Sequence, residues 1–518
     1  MGAATAAEED RQREVIVFLR DPASHGAGVE RVDIVETHIS LVFLAGDRAY
    51  KLKRAIKLPY LDFSTVELRR RACEAELALN RRTAPSLYLE IGRLGRNAKG
   101  GVGFSSAGEA LDWVVVMRRF DQALAFDALA QKGALDRRLI DRLADHIAEF
   151  HAAAERRPCY GGAAALREVA LTNHRCLAAA ERAGFAAAAV DDVRDRWLGA
   201  IAANAALIEA RRAAGKVRRC HGDLHLGNIC LFDGEPTLFD CLEFSEALAS
   251  IDILYDLAFL LMDLIHRGFG AFANGVLNRY LDRTLEDDGL AALPLFLSLR
   301  AGIRAHVTAT ALEQRPDAAG MREAARRYLD LAERALDPAP ARLVAIGGLS
   351  GSGKSTLAAA LAPEFAPCPG ARVIRSDVTR KLLCGVAPET PLPASAYRPE
   401  ITRRVYDALR RKAVTALAAG YSAIVDAVSL HPAERAALAE VARQAGVPFS
   451  GLWLEAAPEA MAERITTRRH DASDATAAVL ARQLDHDPGP IDWTRLDAGG
   501  GPETTLAAAR RALALGSA

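Results

Sequence analysis

The sequence predicts two folded parts of different class: an α+β domain that begins with strands and continues as helices, then an α/β domain built on a parallel sheet. Strand-like segments come first along the chain, and helical periodicity follows them. A stretch with two prolines at 336–341 then leads into a strand, a glycine-rich loop and a helix. We therefore expect one domain over residues 1–337 and a second over residues 338–518.

Composition excludes several classes of protein. The 518 residues include 66 Lys plus Arg and 66 Asp plus Glu, so the chain lacks the positive excess that nucleic-acid binders carry. Apolar residues make up 50% and charged residues 25%, as in ordinary globular proteins. The best apolar stretch, 251–265, falls short of the roughly 20 residues of a membrane span. We expect neither nucleic acid nor membrane as a partner, and the sequence leaves a protein partner undetermined.

The N-terminus and the cysteines indicate a reducing compartment. Residues 1–14 are small and acidic, without the apolar core of a secretory signal. The 8 cysteines are scattered and form no C-x-x-C pair, which is typical of free thiols and not of a disulfide framework or a zinc site. Cys220, Cys230 and Cys241 are predicted to be small buried residues. We expect a cytoplasmic protein.

The first domain begins with a predicted hairpin. Residues 40–45 and 48–53 are apolar segments on either side of Gly46-Asp47, a pair typical of a two-residue turn. A charged helix is predicted over 64–82, with Ser64 as its N-cap, and a buried strand over 112–117. After that, apolar residues recur at helical spacing and mark one buried helix face: Leu139, Leu143, Ile147 and Phe150.

The segment 220–229 combines the residue types that phosphoryl transfer to a hydroxyl needs. Asp223 can orient the hydroxyl or accept its proton, and Asn228, five positions later, supplies an oxygen ligand for a metal ion. Asp240 follows on the next apolar strand and supplies a second ligand. The protein-kinase catalytic loop has the same spacing from aspartate to asparagine. His225 is predicted to brace this loop and not to bind a metal.

Residues 221–228 and Asp240 resemble the aminoglycoside-phosphotransferase branch of the protein-kinase-like fold. The resemblance implies a two-lobed domain that binds ATP, with a strand lysine on the phosphates and a helix glutamate paired with it. Lys51 and Lys53 compete for the first role, and we favour Lys51 because Ala49 then leaves room for the adenine. For the second role Glu74 is slightly preferred to Glu76, and only one of them can face the site.

Two further features complete this implied first site. Met117–Arg119, after the buried strand, is the expected adenine hinge. No G-x-G-x-x-G loop precedes it, so the turn at 37–40 is expected to cover the phosphates, as kinases of this branch also lack the full glycine signature. Asp252 and Asp256 are predicted to brace the helical part.

A second predicted site directly follows the stretch with two prolines at 336–341, which we call the seam. A predicted strand at 342–347 leads into G-x-x-x-x-G-K-S, and a predicted helix begins at Thr356. In such a P-loop, or Walker A motif, glycines let backbone N–H groups converge on phosphate oxygens. Lys354 can reach the β- and γ-phosphates, and the hydroxyl of Ser355 can bind Mg²⁺. The predicted phosphate-binding residues are Gly348, Ser350, Gly351, Ser352, Gly353, Lys354, Ser355 and Thr356.

Two later strands are predicted to end in aspartates, at Asp377 and Asp426, and a further strand covers 451–454. The carboxyl ends of parallel strands form the ligand-binding edge of a sheet. Asp377 can orient an acceptor hydroxyl there, and Asp426 can act on the metal or its water. Near the end of the domain three arginines are predicted to close over the phosphates: Arg464, Arg468 and Arg469.

This second half resembles small P-loop kinases of the gluconate- and shikimate-kinase type. The whole order resembles bacterial proteins described as bifunctional aminoglycoside phosphotransferase-like/ATP-binding proteins. The resemblance implies a transferase that uses ATP and Mg²⁺ on small molecules with a hydroxyl acceptor. Two alternatives stay open: an ATP-binding regulator in which one domain is a switch for the other or for a partner, and a P-loop kinase acting on a nucleotide or nucleotide-sugar, with Arg380 and Lys381 beside Asp377.

Overall fold

The computed structural model describes residues 6–37, 39–58, 61–97, 100–104, 108–314, 320–468 and 471–515. They form two compact units. One comprises the residues up to Gly161 together with Arg211–Leu260, and the other comprises Gly162–Ala210 and the residues from Leu261 onward. Helices between 261 and 337 thus belong to the same unit as the C-terminal sheet, and the domain boundary at 337/338 stays a prediction.

The elements before the seam are strands first and mainly helices later. The strands are β1 (Val32–Glu36), β2 (Ser40–Ala45), β3 (Arg48–Lys53), β4 (Lys57–Leu58), β5 (Leu61–Asp62), β6 (Tyr88–Arg96), β7 (Val102–Phe104), β8 (Ala110–Arg118), β9 (Val217–Arg219), β10 (Ile229–Phe232), β11 (Glu235–Leu238) and β12 (Ser250–Asp252). The helices are α1 (Ala6–Arg20), α2 (Val66–Asn80), α3 (Phe126–Gln131), α4 (Arg137–Ala153), α5 (Gly162–Ala178), α6 (Ala187–Ala213), α7 (Glu246–Ala249), α8 (Ile253–His266), α9 (Gly270–Thr284), α10 (Leu293–Gln314) and α11 (Met321–Arg334).

A six-stranded antiparallel sheet of order β1-β2-β3-β8-β6-β7 organises the first unit. The predicted hairpin is confirmed, because β2 and β3 pair with Ala45 opposite Arg48. Side chains alternate between the two faces of the sheet. Val114 and Val116 of β8 pack with Leu19 of α1, whereas Val115 packs on the opposite face, against the helix α2 residue Cys73.

Helix α2 begins later than predicted. The side chain of Thr65, not Ser64, accepts the backbone N–H of Leu68 and caps the helix, which starts at Val66. Ser64 donates its hydroxyl to Asp62 instead. Of the predicted helical face on α4, Leu143, Ile147 and Phe150 are buried, as predicted, whereas Leu139 in the first turn is half-buried. The correction at α2 shifts the N-cap by one residue, because neighbouring polar side chains at a helix end compete to cap the same N–H groups.

The chain after the seam forms an α/β unit. Its strands are β13 (Leu343–Gly348), β14 (Arg372–Arg375), β15 (Ala423–Asp426), β16 (Phe449–Glu455) and β17 (Thr494–Asp497). Its helices are α12 (Lys354–Leu361), α13 (Ser376–Leu383), α14 (Pro399–Ala418), α15 (Pro432–Ala445), α16 (Pro458–Thr467), α17 (Ala477–Leu484) and α18 (Pro502–Ala512). The sheet is five-stranded and parallel, in the order β14-β15-β13-β16-β17. The predicted fold class, a kinase-like α+β region followed by an α/β domain with a parallel sheet, is confirmed.

Within the described residues, one helical stretch is long and apolar enough to cross a membrane. It covers Asp287–Leu312, and 67% of its most apolar window is buried inside the protein. Burial of this kind is also what a core helix of a globular protein shows. Helix α8 takes up most of the apolar stretch at 251–265, and its residues from Ile253 to Asp263 are all buried.

Candidate active sites

The first site lies on the α2 face of the antiparallel sheet. Strand alternation puts Ala49, Lys51 and Lys53 of β3 on one face. The ammonium group of Lys51 donates to Glu76 Oε1 at 2.8 Å and to Asp240 Oδ1 at 2.5 Å. Lys51 therefore joins the glutamate of α2 to the aspartate that follows β11. This geometry favours Lys51 over Lys53 as the lysine that meets a ligand.

The preference for Glu74 over Glu76 as the partner of Lys51 is wrong. Glu74 lies on the outer side of α2, where it pairs with Arg70 in the same helix. Glu76 is fully buried and contacts both Lys51 and Lys53. Burial disfavours its ionisation, but the two ammonium groups outweigh that effect and lower the pKa of Glu76 to about 2. Glu76 is thus a carboxylate at any neutral pH.

Lys53 has a different set of contacts, which the sequence did not reveal. It is fully buried, and it forms ion pairs with Glu76 and with Glu243, three residues after Asp240. Burial opposes its charge, yet Glu243 and Glu76 raise the pKa of Lys53 above its ordinary value. Lys53 and Glu243 therefore fix Glu76 and the segment around Asp240 relative to each other. No local pattern in the sequence links Glu243 to Lys53, so the sequence offered no signal for this role.

The predicted catalytic loop brings Asp223 and Asn228 together. The side-chain amide of Asn228 donates to the backbone carbonyl and to the carboxylate of Asp223, each at 2.9 Å. Because the nitrogen of Asn228 is used in this way, the oxygen is the atom that it offers to a metal ion. His225 accepts the N–H of Gly227 through its ring and so braces the loop, as predicted.

Asp256 of α8 anchors the same loop. Its carboxylate accepts the backbone N–H groups of His221 and Gly222 at 3.1 and 2.9 Å, and His151 contacts it at 3.0 Å. The predicted bracing role of Asp256 fits these contacts. Asp252 is held separately, by two hydrogen bonds from Arg211. The predicted burial of Cys220, Cys230 and Cys241 as free thiols is also confirmed.

Asp240 lies two residues beyond β11, not on the strand itself. Its backbone has φ +62°, in the left-handed region that non-glycine residues seldom occupy. Strain of this kind recurs at functional sites, where the surroundings enforce it. The backbone N–H of Phe239 donates to Asn228, so Asp240 follows directly on the residue that pairs with the loop. Carboxylate and amide oxygens from Asp240 and Asn228 suit a hard cation such as Mg²⁺.

The expected adenine hinge also has a clear position. Met117 is buried near the end of β8 and pairs with Ala49 of β3, which puts the small residue beside the hinge. Arg119, just past the strand, donates its N–H to Asp47. The turn from β1 to β2 is closed by a bond from Thr37 N–H to Ser40. His38 in that turn lies outside the described residues, and its expected cover of the phosphates stays a prediction.

The P-loop has the strand–loop–helix form that its sequence predicts, with β13 before it and α12 beginning at Lys354. The hydroxyl of Ser355 donates to Asp426 Oδ2 at 2.5 Å, which joins the loop to the end of β15. Hydroxyl and carboxylate oxygens placed this closely fit a Mg²⁺ ion. Arg375 lies 3.4 Å from the same carboxylate oxygen. The structure thus brings together both residues predicted to bind the second metal ion.

Close packing requires glycine at Gly351 of this loop. Gly351 has φ +83°, and a Cβ atom there would lie 2.5 Å from the carbonyl oxygen of Met461 in α16. The loop therefore packs directly against the backbone of a helix. The neighbouring Ser350 donates its N–H to the side chain of Gln483 at 2.8 Å, and the ammonium group of Lys354 donates to Leu349.

A cavity of about 1080 Å³ opens over this loop. Its predicted members include the following residues of the loop and its surroundings: Ser350, Gly351, Ser352, Gly353, Lys354, Ser355, Thr356, Asp377, Asp426, Arg464 and Arg468. Gly348 lies just before them, at the end of β13. The phosphate-binding loop and the carboxylate of Asp377 thus line the same cavity.

The prediction that Asp377 ends a strand is wrong, because β14 stops at Arg375 and Asp377 lies two residues further on, in the first turn of α13. Burial raises the pKa of its carboxyl, although a hydrogen bond from Ser473 and the charge of Arg375 oppose that effect. Arg468 donates to the backbone carbonyls of Ser473 and Ala475 and so shapes the segment above the cavity. Arg469 lies outside the described residues.

Two family models match the chain. The phosphotransferase enzyme family matches residues 79–296, and the AAA domain matches residues 343–488. An uncharacterized protein of Mycobacterium tuberculosis (strain ATCC 25618 / H37Rv) is 33% identical over 490 residues, which cover 92% of this chain and 94% of that protein. A protein of Mycobacterium bovis (strain ATCC BAA-935 / AF2122/97) matches equally. This chain belongs to their family. A phosphotransferase-type region followed by a P-loop region, as the resemblance implied, is confirmed.

Solved structures are similar to each half at low identity. An amicoumacin kinase structure is 15% identical and spans 64% of this chain and 96% of its own, with a TM-score of 0.38. A gluconokinase from Sinorhizobium meliloti 1021 is 22% identical and spans 34% of this chain and 94% of its own, with a TM-score of 0.25. These values are too low to bear on activity. The two family matches themselves make the chain a kinase-type, nucleotide-binding protein.

Proposed function

We propose that the chain is a tandem phosphotransferase with two separate Mg-ATP sites, each of which transfers the γ-phosphoryl group to a hydroxyl of a small molecule in the cytoplasm. One observation carries the proposal most directly. Each half places a lysine, a carboxylate suited to Mg²⁺ and a further aspartate around one site, with no residue shared between the two sets. Those are the groups that phosphoryl transfer to a hydroxyl uses.

At the first site, Lys51 binds the nucleotide phosphates and Glu76 holds its ammonium group in place. Asn228 and Asp240 would hold Mg²⁺, which would supply positive charge to the phosphate groups. Asp223 orients the acceptor hydroxyl and takes its proton. The hydrogen bonds from Asn228 keep the Asp223 carboxylate aimed, and Asp256 fixes the backbone that carries it.

At the second site, the P-loop amides and Lys354 hold the phosphates, while Ser355 and Asp426 would hold Mg²⁺. Arg468 lines the same cavity and adds positive charge there. Asp377 lines the same cavity and accepts the proton of an acceptor hydroxyl. Burial, by raising the pKa of Asp377, makes it a stronger base than an exposed aspartate.

The test measures transfer of label from γ-labelled ATP to a panel of small hydroxyl compounds, including sugars, aminoglycosides and amino alcohols. The full chain is compared with Asp223→Asn, which disables the first site, and Lys354→Ala, which disables the second. We expect each variant to lose a different set of phosphorylated products and the double variant to lose all. Unaltered labelling in the double variant would refute the proposal, and so would ATP hydrolysis without transfer to any compound.

A further inference from the structure

Strand β14 lies at the edge of the five-stranded parallel sheet that carries the P-loop, and its outer side contacts a helix instead of a strand. In the sheet order β14-β15-β13-β16-β17, β14 has a neighbouring strand on one side only. An exposed edge presents unpaired N–H and C=O groups. Here the outer edge faces helix α9, whose residues belong to the region matched by the phosphotransferase family, 79–296.

Two asparagines of α9 pair with that edge through their side chains. Asn278 Oδ1 accepts the backbone N–H of Val373 at 2.7 Å, and Asn278 Nδ2 donates to the carbonyl of Ala371 at 3.1 Å. Asn274 Nδ2 donates to the same carbonyl at 3.0 Å. The amide of Asn278 thus offers the strand one acceptor and one donor, as the backbone of an adjacent strand would. Both asparagines of α9 are buried, and so are Ala371 and Val373.

Arg372 of β14 adds a charged anchor at the same place. It is only 1% exposed, and its guanidinium donates to Asp287 and to Asp282 at 2.6 Å each. Lys412 of α14 lies 3.7 Å from Asp282, so two cations face two carboxylates. Burial works against the charge of Asp287, but Arg372 lowers the pKa of that carboxyl below its usual value. Strand β14 and the segment that holds Asp282 and Asp287 are therefore joined by buried, charged hydrogen bonds.

The other end of the same short strand enters the P-loop site. Arg375, three residues along β14, pairs with Asp426 and donates to Asp471 at 3.0 Å. Asp377 follows two residues later and lines the cavity. A strand rises about 3.3 Å per residue, so roughly 10 Å of rigid backbone joins Arg372 to Arg375.

We propose that helix α9 takes the place of a sixth strand at the β14 edge of the parallel sheet, with its asparagine side chains in place of a strand backbone. Asn278 and Arg372 are then positioning residues. Through β14 they hold Arg375 and Asp377 in the P-loop site. The P-loop site then depends on residues of the phosphotransferase-family region. This dependence goes beyond the proposed function, in which the two sites only share a chain. Testing it by turnover rests on the proposed P-loop activity. None of the described residues that line the cavity over the P-loop belongs to α9.

The test uses the full chain with the first site disabled by Asp223→Asn. Asn278→Ala removes the amide that pairs with β14, and Asp282→Asn removes one charge while keeping its shape. Asn204→Ala is the matched control, because that side-chain amide donates within its own helix, to the carbonyl of Ala200 at 2.9 Å. Turnover of ATP at the P-loop, its pH profile, affinity for a non-hydrolysable ATP analogue with Mg²⁺, and hydrogen exchange at residues 374–378 are measured.

We expect Asn278→Ala and Asp282→Asn to lower turnover about 10- to 100-fold, the effect of misplacing a reacting group by about 1 Å. The acid limb of the pH profile shifts, exchange at 374–378 rises, and analogue affinity stays within about twofold because the P-loop backbone sets it. Asn204→Ala changes none of these. If Asn278→Ala fails to fold, Asp282→Asn decides.

Unaltered turnover and pH profile in either folded variant would overturn the proposal, as would equal effects in Asn204→Ala. If turnover and analogue affinity fell together with the melting temperature, the role would be structural only, which also overturns it. A chain with no P-loop turnover before any of these changes would instead refute the proposed function. Hydrogen exchange then still decides the coupling, since unaltered exchange at 374–378 in Asn278→Ala contradicts it.

Discussion

Lys51 donates to Glu76 at 2.8 Å, and this pair ties strand β3 to helix α2 at the first site. The second carboxylate oxygen of Glu76 contacts Lys53, which is itself paired with Glu243. Two lysines and two glutamates therefore alternate in a buried row. Lys51 ends that row beside the partly exposed Asp240, whereas Lys53 lies fully inside it. The two lysines should consequently respond differently to substitution.

Replacing Lys53 with methionine should mainly lower the free energy of unfolding and affect turnover at the first site less. The change leaves Glu243 and one oxygen of Glu76 buried without their cation, and breaking a buried pair in this way costs about 3–5 kcal/mol. Chemical denaturation of the full chain measures the loss. The control is Lys57→Met, which removes a lysine from a solvent-exposed pair with Asp62 and should cost no more than about 1 kcal/mol. Equal losses in the two variants would contradict the assigned role of Lys53.

Glu76→Gln should disable the first site, because a neutral amide no longer holds the ammonium of Lys51 against the phosphates. We expect turnover at that site to fall by about 10- to 100-fold. Glu74→Gln is a matched change two residues away on the same helix. It affects only the surface pair with Arg70 and should leave turnover unaltered. The order would be reversed if Glu74 were the residue that faces the site. Steady-state kinetics with the second site disabled by Lys354→Ala separate these cases.

Gly351→Ala should abolish nucleotide binding at the second site. Its Cβ would meet the Met461 carbonyl oxygen at 2.5 Å, so the loop or helix α16 must move. Gly446→Ala tests whether positive φ alone explains any effect. Gly446 ends α15 at φ +66° with nothing within 4 Å of an added Cβ. Calorimetric binding of an ATP analogue should be lost in the first variant and retained in the second. Retained binding in Gly351→Ala would mean that the loop does not need this contact.

Activity at the P-loop site should fall in acid at a pH above 3.8, the usual pKa of an aspartate. Burial raises the pKa of Asp377, and the site needs its ionised form to accept a proton. The protonated fraction of Asp377 therefore grows as the pH falls through that raised value. The pH dependence of turnover, measured in the Asp223→Asn chain, locates the acid limb. A limb centred at or below pH 3.8 would be inconsistent with Asp377 as the base.

The same pKa shift has a consequence for stability, with a definite sign. A carboxyl whose pKa is higher in the folded state binds more protons there than in the unfolded state. Folding stability therefore falls as the pH rises from 3.8 through the raised value. At pH 7 the ionised Asp377 is a destabilising group. Asp377→Asn should then unfold at no lower a temperature than the unmodified chain while losing turnover. A clearly lower melting temperature would show that Asp377 is held by contacts stronger than its burial.

The sequence predicted those parts of the sites in which neighbouring residues encode the chemistry. In the P-loop and in the segment from His221 to Asn228, the predicted residues lie within a few positions of one another, so their spacing alone was enough to predict one loop. The pair of glutamates on α2 shows the limit. Glu76 lies three residues after the buried Cys73, a spacing that puts both on one helix face, whereas Glu74 adjoins Cys73 and turns away. Cys73 was the usable signal for that choice.

Other parts depended on contacts between distant segments. Strand β17 escaped prediction because only Leu496 of its four residues is buried, which leaves no apolar run. The pairing of Lys53 with Glu243 joins residues 190 positions apart, and that of Arg372 with Asp282 joins residues 90 apart. No local pattern encodes such pairs. Their charges are visible in the sequence, but which opposite charge each one meets is set by the packing of the sheet and helices.

The central claim is that the chain holds two separate Mg-nucleotide sites. Calorimetric stoichiometry for a non-hydrolysable ATP analogue with Mg²⁺ tests it most directly, on the unmodified chain, on Asp240→Ala and on Lys354→Ala. We expect two bound nucleotides per chain in the first case and one in each variant, with a different site lost each time. A single site in the unmodified chain, lost only in Lys354→Ala, would contradict the claim and leave the first half without a nucleotide of its own.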